Sequence, residues 1–419
     1  MPPFAITPSR RLAGSAACLL AMVCVLGCTR QPADQGPPVF QPPVQYHVGL
    51  NPISILTADL NGDGRPDLIT TNLNSNNVSV LMGKPAPSNP QTGMEDGAGL
   101  FKEHAMYDVG VRPRTAALGD FNRDGRLDLA VANNQSDDLS ILLGNGDGTF
   151  RNTATLPAGR SPLAIAAGDL NRDGTDDLVV ALRFDHLLVY LGRGDGTFAQ
   201  PVDYDPGDTP TAVLLVDLNG DGHLDVVVSN NGPMTSSVTL FWGSATGELK
   251  LGPRYAVKNR PLFAAVGRVN DDAYPDLVAV IPFANSVLVF FGDGRGPFTE
   301  PPIQLSAEVE PVAVAVGDFN GDGHGDLAVA NSGDSTISVL LGDGAGHFKT
   351  PQLYRAGSRP MGLVALDLNG DGLPDLAVAN NTSNDVSVLL ALPPRSPAVA
   401  PAAQPSGGQG SGDRGQGKN

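Results

Sequence analysis

The sequence lacks cysteine almost throughout: all three cysteines, Cys18, Cys24 and Cys28, lie within the first 28 of its 419 residues. Disulfide bonds and thiolate metal sites are therefore excluded from the rest of the chain. Aromatic residues make up only 5% and there is one tryptophan, whereas glycine (51) and proline (36) are abundant. This composition favours many turns and short strands over helical bundles.

Basic residues are also scarce, with 27 lysines and arginines against 44 aspartates and glutamates, a net charge of −17. A broad nucleic-acid-binding surface is excluded because phosphate neutralisation needs the opposite sign. Cations are the more natural partners. The sequence contains no H-E-x-x-H, no G-x-S-x-G and no phosphate-binding loop. Missing motifs do not exclude catalysis, so enzymatic activity stays open.

The one long apolar run, residues 12–27, follows Arg10 and Arg11 and is too short for a transmembrane helix, which needs about 20 residues. It reads as an export signal. Its end, Val25-Leu26-Gly27-Cys28, resembles the lipobox of bacterial lipoproteins. The resemblance implies a signal peptide over 1–27, lipidation of Cys28, and a lipid-anchored protein of the outer membrane or cell surface. The alternative is an ordinary cleaved signal with an incidental cysteine.

A nine-residue pattern, D-x-N-x-D-G-x-x-D, recurs along the chain at intervals of 48 to 61 residues. Two further markers keep the same phase: a proline seven residues before each start, and a large apolar residue 19 or 20 residues before it. Three markers in one phase indicate seven copies of one structural unit. The six intact copies and one degenerate copy start at Asp59, Asp120, Asp169, Asp217, Asp318, Asp367 and, degenerate, Arg268.

Each unit reads as four short strands, the fourth being an edge strand that tolerates proline. One four-stranded sheet cannot bury both faces, but seven packed radially can, so we predict an all-β, seven-bladed β-propeller over residues 38–392. The segment 40–46 matches 348–354 and should complete the last blade and close the ring. Residues 28–37 form a linker, and residues 393–419 are expected to be disordered.

The nine-residue pattern carries ligand types that Ca²⁺ prefers. Positions 1, 3, 5 and 9 offer side-chain oxygens, position 7 varies and would bind through its carbonyl, and the glycine at position 6 suits positive φ. The candidate ligands are Asp59, Asn61, Asp63, Arg65 and Asp67; Asp120, Asn122, Asp124, Arg126 and Asp128; Asp169, Asn171, Asp173, Thr175 and Asp177; Asp217, Asn219, Asp221, His223 and Asp225; Asp318, Asn320, Asp322, His324 and Asp326; and Asp367, Asn369, Asp371, Leu373 and Asp375.

The alternative for these loops is an Asx-turn hairpin without an ion, but three carboxylates in one short loop would then repel each other. We therefore expect about six Ca²⁺ ions, with Ca²⁺ preferred over Mg²⁺. The fifth loop has Arg268 at position 1 and Ala273 at position 6. A guanidinium can replace the ion as the counter-charge, so we expect this loop to be empty.

Loops of this form at this period resemble the repeats of the FG-GAP/VCBS family, which includes the propeller of integrin α subunits. The family's Gly-Ala-Pro element is missing, so bacterial VCBS-type proteins are the closer resemblance. This resemblance implies a calcium-binding, often adhesive propeller at the cell surface. We expect a monomeric binding, adhesion or scaffold module for a protein or polysaccharide. The alternative is a lyase-like propeller enzyme acting on an anionic polysaccharide.

The opposite end of each unit carries arginines near the marker prolines. In a closed propeller these arginines would form a ring, and a ring of arginines could bind an anionic ligand. We expect the arginines instead to form ion pairs with carboxylates on neighbouring loops. The arginines are Arg112, Arg114, Arg160, Arg260 and Arg359, and the carboxylates are Asp137, Asp138, Asp185, Asp334 and Asp385.

Overall fold

The computed structural model describes residues 39–85, 99–233, 235–298 and 301–393. The predicted signal peptide, Cys28, the linker and all but the first residue of the C-terminal tail lie outside these ranges. The strands in chain order are β1 Val44–His47, β2 Pro52–Ala58, β3 Asp67–Asn72, β4 Asn77–Leu81, β5 Ala105–Asp108, β6 Pro113–Gly119, β7 Asp128–Asn133, β8 Asp138–Gly144, β9 Phe150–Pro157, β10 Pro162–Gly168, β11 Asp177–Leu182, β12 His186–Tyr190, β13 Val202–Tyr204, β14 Pro210–Val216, β15 Asp225–Asn230, β16 Ser237–Trp242, β17 Lys250–Ala256, β18 Phe263–Gly267, β19 Asp276–Ile281, β20 Ser286–Phe290, β21 Ile303–Ser306, β22 Pro311–Gly317, β23 Asp326–Asn331, β24 Thr336–Leu340, β25 Gln352–Arg355, β26 Pro360–Leu366, β27 Asp375–Asn380 and β28 Asp385–Leu389.

The strands form seven antiparallel four-stranded sheets, which are the blades. Six blades use four consecutive strands, from β2–β5 to β22–β25. The seventh consists of β26, β27 and β28 with β1 on its outer edge, and its register pairs Val44 with Val388 and His47 with Asp385. The predictions of a seven-bladed propeller and of ring closure by the N-terminal strand are therefore confirmed.

The hydrophobic core lies between the blades. Seven apolar clusters occur in the described chain, and each is shared by two neighbouring blades. For example, Ile69 and Val80 of the first blade pack with Leu129, Val131 and Phe150 of the second. The second strand of each blade is buried along its whole length because it has a neighbouring blade on both faces.

The sequence markers have separate structural roles. In six blades the proline is the first residue of the innermost strand and is followed by a register shift, as between Pro52 and Ser54. In the fifth blade the strand starts later, at Phe263. The large apolar residue packs against the aromatic ring of an outer strand, as in the edge-on contact of Phe101 with Tyr46 at 5.3 Å.

One more short element lies within the described residues. A 3₁₀ turn at Pro282–Ala284 joins β19 and β20. Within the described ranges, no helix is long and apolar enough to cross a membrane.

Candidate metal centres

The candidate metal loops connect the first and second strands of each blade, so all of them lie on one face of the ring. Position 1 follows the first strand, and position 9 is the first residue of the second strand, as Asp67 is of β3. The position-6 glycines have φ between 76° and 90° in all six intact loops, which confirms the predicted positive φ.

The six intact loops share one hydrogen-bonding pattern. The position-1 carboxylate accepts the position-6 N–H at 2.7 to 2.9 Å, as Asp59 does from Gly64. The position-5 carboxylate accepts the position-7 N–H at 2.8 to 3.0 Å. The position-3 asparagine donates from Nδ2 to the position-5 carboxylate and contributes a carbonyl oxygen. These are the Asx-turn contacts of the alternative interpretation.

The position-9 aspartates have a further role, which the sequence reasoning did not anticipate. Each is fully buried, and one oxygen accepts the N–H of position 2 at 2.9 to 3.0 Å. The other oxygen accepts an N–H just after the third strand at 2.7 to 2.9 Å. The contact therefore fixes the start of the loop to the end of the third strand. The fifth blade retains it through Asp276, so the contact does not depend on an intact loop.

The electrostatics of the position-9 carboxylates are unfavourable in the absence of a cation. Burial, with repulsion from the carboxylates at positions 5 and 1, raises the pKa of Asp128 and Asp177 to about 6 and that of Asp326 and Asp375 to about 7. Hydrogen bonds from the backbone oppose this shift without cancelling it. At positions 1 and 5 the balance is reversed for Asp59, Asp173 and Asp221, where hydrogen bonds outweigh burial and lower the pKa of the carboxyl.

The fifth loop does not behave as expected. In the described part of the chain, no carboxylate oxygen lies within 4 Å of the Arg268 guanidinium, so the predicted counter-charge contact is not formed. Instead the loop contacts the next blade through Asp271. Asp271 Oδ1 lies 2.9 Å from His324 Nδ1, and the Asp271 N–H donates to the Gly344 carbonyl. With no carboxylate at position 1 and no glycine at position 6, the contact between these two positions is lost, whereas Asp272 still accepts from Asn270 Nδ2 and from the Tyr274 N–H, both at 2.9 Å.

Position 4 supplies cations that the motif did not predict. Arg123 of the second loop contacts the third loop, where it donates to Asp173 Oδ1 at 2.9 Å. Arg172 of the third loop donates to the Gly222 carbonyl of the fourth. These two contacts join residues 50 positions apart, so only the ring arrangement brings them together. In the first loop the cation is at position 7, where Arg65 pairs with Asp63 of the same loop.

The donor chemistry of the intact loops fits a hard cation, although the carboxylates are not gathered around one point. Among the residues described, no three or more Asp, Glu, His or Cys side chains converge as in a preformed metal site. Each loop nevertheless offers three carboxylates, one amide oxygen and a carbonyl, and Ca²⁺ takes six to eight oxygens from flexible loops.

On the opposite face, the predicted ion pairs are not formed. Within the described residues, none of the five arginines has a carboxylate oxygen within 4 Å. The reason is that the carboxylates accept other hydrogen bonds, two of them from the backbone of the next blade. Asp137 accepts from Ser161 N, Asp185 from Thr209 N, Asp334 from Val309 N, Asp138 from Asn133 Nδ2 and Asp385 from Asn380 Nδ2, at 2.7 to 2.9 Å.

Comparison with known proteins agrees with this geometry. The FG-GAP-like repeat family matches residues 120–180, 177–228, 268–329 and 318–378, more than half of the chain, and the FG-GAP repeat matches residues 51–81. No curated protein sequence matches the chain.

Solved structures are similar at low sequence identity. BBS1N, crystallised in complex with ARL6DN and soaked with lead, is 14% identical; the match covers 86% of this chain and 99% of that chain, with a TM-score of 0.58. The virginiamycin B lyase from Staphylococcus aureus is 13% identical over 84% of this chain and 100% of that chain, with a TM-score of 0.55. At these identities the similarity concerns the fold alone.

Proposed function

Because this chain belongs to the FG-GAP-like repeat family, we propose that it is a calcium-binding propeller that acts as a binding, adhesion or scaffold module on the cell surface. The observation that carries the proposal is the loop pattern. Six loops each carry carboxylates at positions 1, 5 and 9 around a glycine turn, and burial together with repulsion from positions 5 and 1 disfavours the charged form of the position-9 carboxylate. A divalent cation would relieve that repulsion.

The ligands in each intact loop would be the side chains at positions 1, 3, 5 and 9 and the carbonyl of position 7. When bound, Ca²⁺ would supply positive charge and hold the loop closed. The position-9 aspartate already joins the loop to two strands of its blade, so binding at the loop would stabilise the blade as well. The ion's proposed role is therefore structural, and the binding role belongs to the surfaces that the ring displays.

The N-terminal sequence supports export and anchoring. Export through the run over residues 12–27 and lipidation at Cys28 would put the propeller outside the cytoplasm, where calcium is abundant, joined to a lipid anchor by the linker at 28–37. Extracellular calcium modules bind at about 10⁻⁴ to 10⁻³ M. Such affinities suit a structural ion that is seldom removed.

Calcium titration of matched variants tests the proposal. Asp367→Asn with Asp371→Asn should remove one site from the seventh blade, whereas Asp272→Asn in the degenerate fifth loop should remove none. Isothermal titration calorimetry would compare the number of Ca²⁺ ions bound, and MgCl₂ would serve as the second ligand. An unchanged stoichiometry in the double variant, or binding of Mg²⁺ as tight as that of Ca²⁺, would count against the proposal.

A further inference from the structure

Four arginines lie together on the face opposite the metal loops, where the second and third blades meet. Arg112, Arg114, Arg160 and Arg183 line one cavity of about 580 Å³, which we call the arginine pocket. They come from two consecutive blades, since Arg112 and Arg160 occupy the loops that precede the marker prolines. Arg114 also lines a second cavity, formed at the centre of the ring by the first strands of the seven blades, whose other lining side chains carry no charge.

These guanidinium groups have no neutralising partner. In the described ranges, no carboxylate oxygen lies within 4 Å of any of the four. The one carboxylate in the pocket, Asp137, accepts the Ser161 N–H at 2.7 Å. Burial, followed by repulsion from Arg183 and Arg112, lowers the pKa of Arg114. Four guanidinium charges against one carboxylate leave the pocket strongly net positive, which is unfavourable unless an anion joins them.

The other lining groups suit a small polar molecule. The Arg160 guanidinium lies 5.3 Å from the centre of the Phe184 ring, which holds the arginine in place while the ring stays 52% exposed. Asn134 and Gln135 add amide groups. The pocket contains no histidine, tyrosine or glutamate, so its composition favours binding over proton transfer.

The positive charge is local, and this limits the size of the ligand. The whole chain carries a net charge of −17. On the same face, the loops of the sixth blade carry Glu308, Glu310 and Asp334. An extended polyanion crossing the ring would meet these carboxylates, whereas a compact anion can stay within the pocket.

We propose that the arginine pocket binds a compact polar molecule bearing two or more oxyanion groups, such as a short acidic saccharide or a phosphorylated sugar. This inference rests on the proposed binding role and names the chemistry of one ligand. Arginine suits the task because its planar fork donates two parallel hydrogen bonds to a carboxylate, phosphate or sulfate. The four guanidinium groups of the pocket would together hold two oxyanion groups of one ligand.

The test uses the full-length protein with its calcium content measured in every sample. Digalacturonate and fructose 1,6-bisphosphate are the probes, because they separate carboxylate from phosphate recognition, and lactose is the uncharged control. We expect at least one probe, but not lactose, to bind in calorimetry and to bind more weakly as NaCl is raised. Failure of both probes to bind overturns the inference, while an unchanged calcium count would leave the proposed metal role standing.

Matched variants locate the site. Arg112→Gln and Arg183→Gln should each weaken binding by about tenfold or more. Arg359→Gln is the control, because Arg359 also precedes a marker proline, also has positive φ, and lies outside the pocket. Equal losses for Arg112→Gln and Arg359→Gln would overturn the assignment.

Thermal stability provides a second readout, and its first part needs no probe. Without a ligand, Arg114→Gln should melt at the same temperature as the wild type or higher, since it removes a charge repelled by its neighbours. The binding probe should raise the melting temperature of the wild type and leave that of Arg114→Gln unchanged. A destabilised variant that still responds to the probe would contradict the proposal.

Discussion

Removing calcium at pH 8 should lower the melting temperature by more than about 10 °C. Acidifying the calcium-free protein should then partly restore the melting temperature. At a calcium concentration ten times the dissociation constant, binding contributes about 1.4 kcal/mol per site. Six additive sites would contribute about 8 kcal/mol, which is comparable to the whole stability of a typical domain, about 5 to 15 kcal/mol. Six divalent ions would also offset twelve of the net 17 negative charges.

The pH dependence follows from the buried position-9 carboxylates. Their pKa values, about 6 for Asp128 and Asp177 and about 7 for Asp326 and Asp375, lie above the ordinary value of 3.8. A raised pKa means that the folded state binds the proton more tightly than the unfolded chain does. This contribution is complete below pH 3.8 and is lost as the pH rises through 6 to 7, so calcium-free protein should be more stable at pH 5 than at pH 8.

Calcium should reverse this trend because protons compete with the ion for the same carboxylates. Differential scanning calorimetry at pH 5, 6.5 and 8 would measure both series, with calcium-free protein prepared by chelation and dialysis and with 5 mM CaCl₂ or MgCl₂ added back. The expected result is a melting temperature that falls with pH without calcium and rises with it. Parallel curves, or a melting temperature indifferent to verified calcium removal, would refute the reasoning.

Three further predictions concern single features of the chain. Asp276→Asn should destabilise the fold by about 1–3 kcal/mol with or without calcium, because it leaves a buried N–H unpaired; chemical denaturation would measure this, and a calcium-dependent loss would be the contrary result. Arg268→Asp with Ala273→Gly should restore the loop pattern and create an additional calcium site, detectable as one more equivalent in calorimetry. Cys28→Ala should release the protein from the membrane fraction or leave the precursor uncleaved, whereas a membrane-bound variant processed at the usual site would contradict lipidation.

The fold could be predicted because each repeated marker meets one physical requirement in at least six of the seven copies. The proline opens an inner strand, where no ladder donor is needed, and the position-6 glycine has the positive φ that its turn requires. Ring closure could be predicted from the segment between Phe40 and Tyr46. This segment repeats the pattern of a fourth strand but precedes the first blade, and β1 does complete the last blade. These signals are local, so one sequence suffices to read them.

The partners of charged side chains could not be predicted in the same way, because hydrogen bonds compete for them. Asp137 could have paired with an arginine, but it accepts the Ser161 N–H. Arg268 lies beside three loop carboxylates in sequence and contacts none of them within 4 Å in the described structure. The contact between Arg123 and Asp173 depends on how two blades meet. Such outcomes are decided by tertiary geometry.

The measurement that tests the central claim most directly is a count of bound calcium ions. Native mass spectrometry of the mature protein, supported by anomalous scattering from crystals, would give the number and place each ion in a blade. We predict six Ca²⁺ ions, one in each intact loop, and none in the loop that starts at Arg268. Three or fewer ions, or a seventh ion in the fifth blade, would contradict the account.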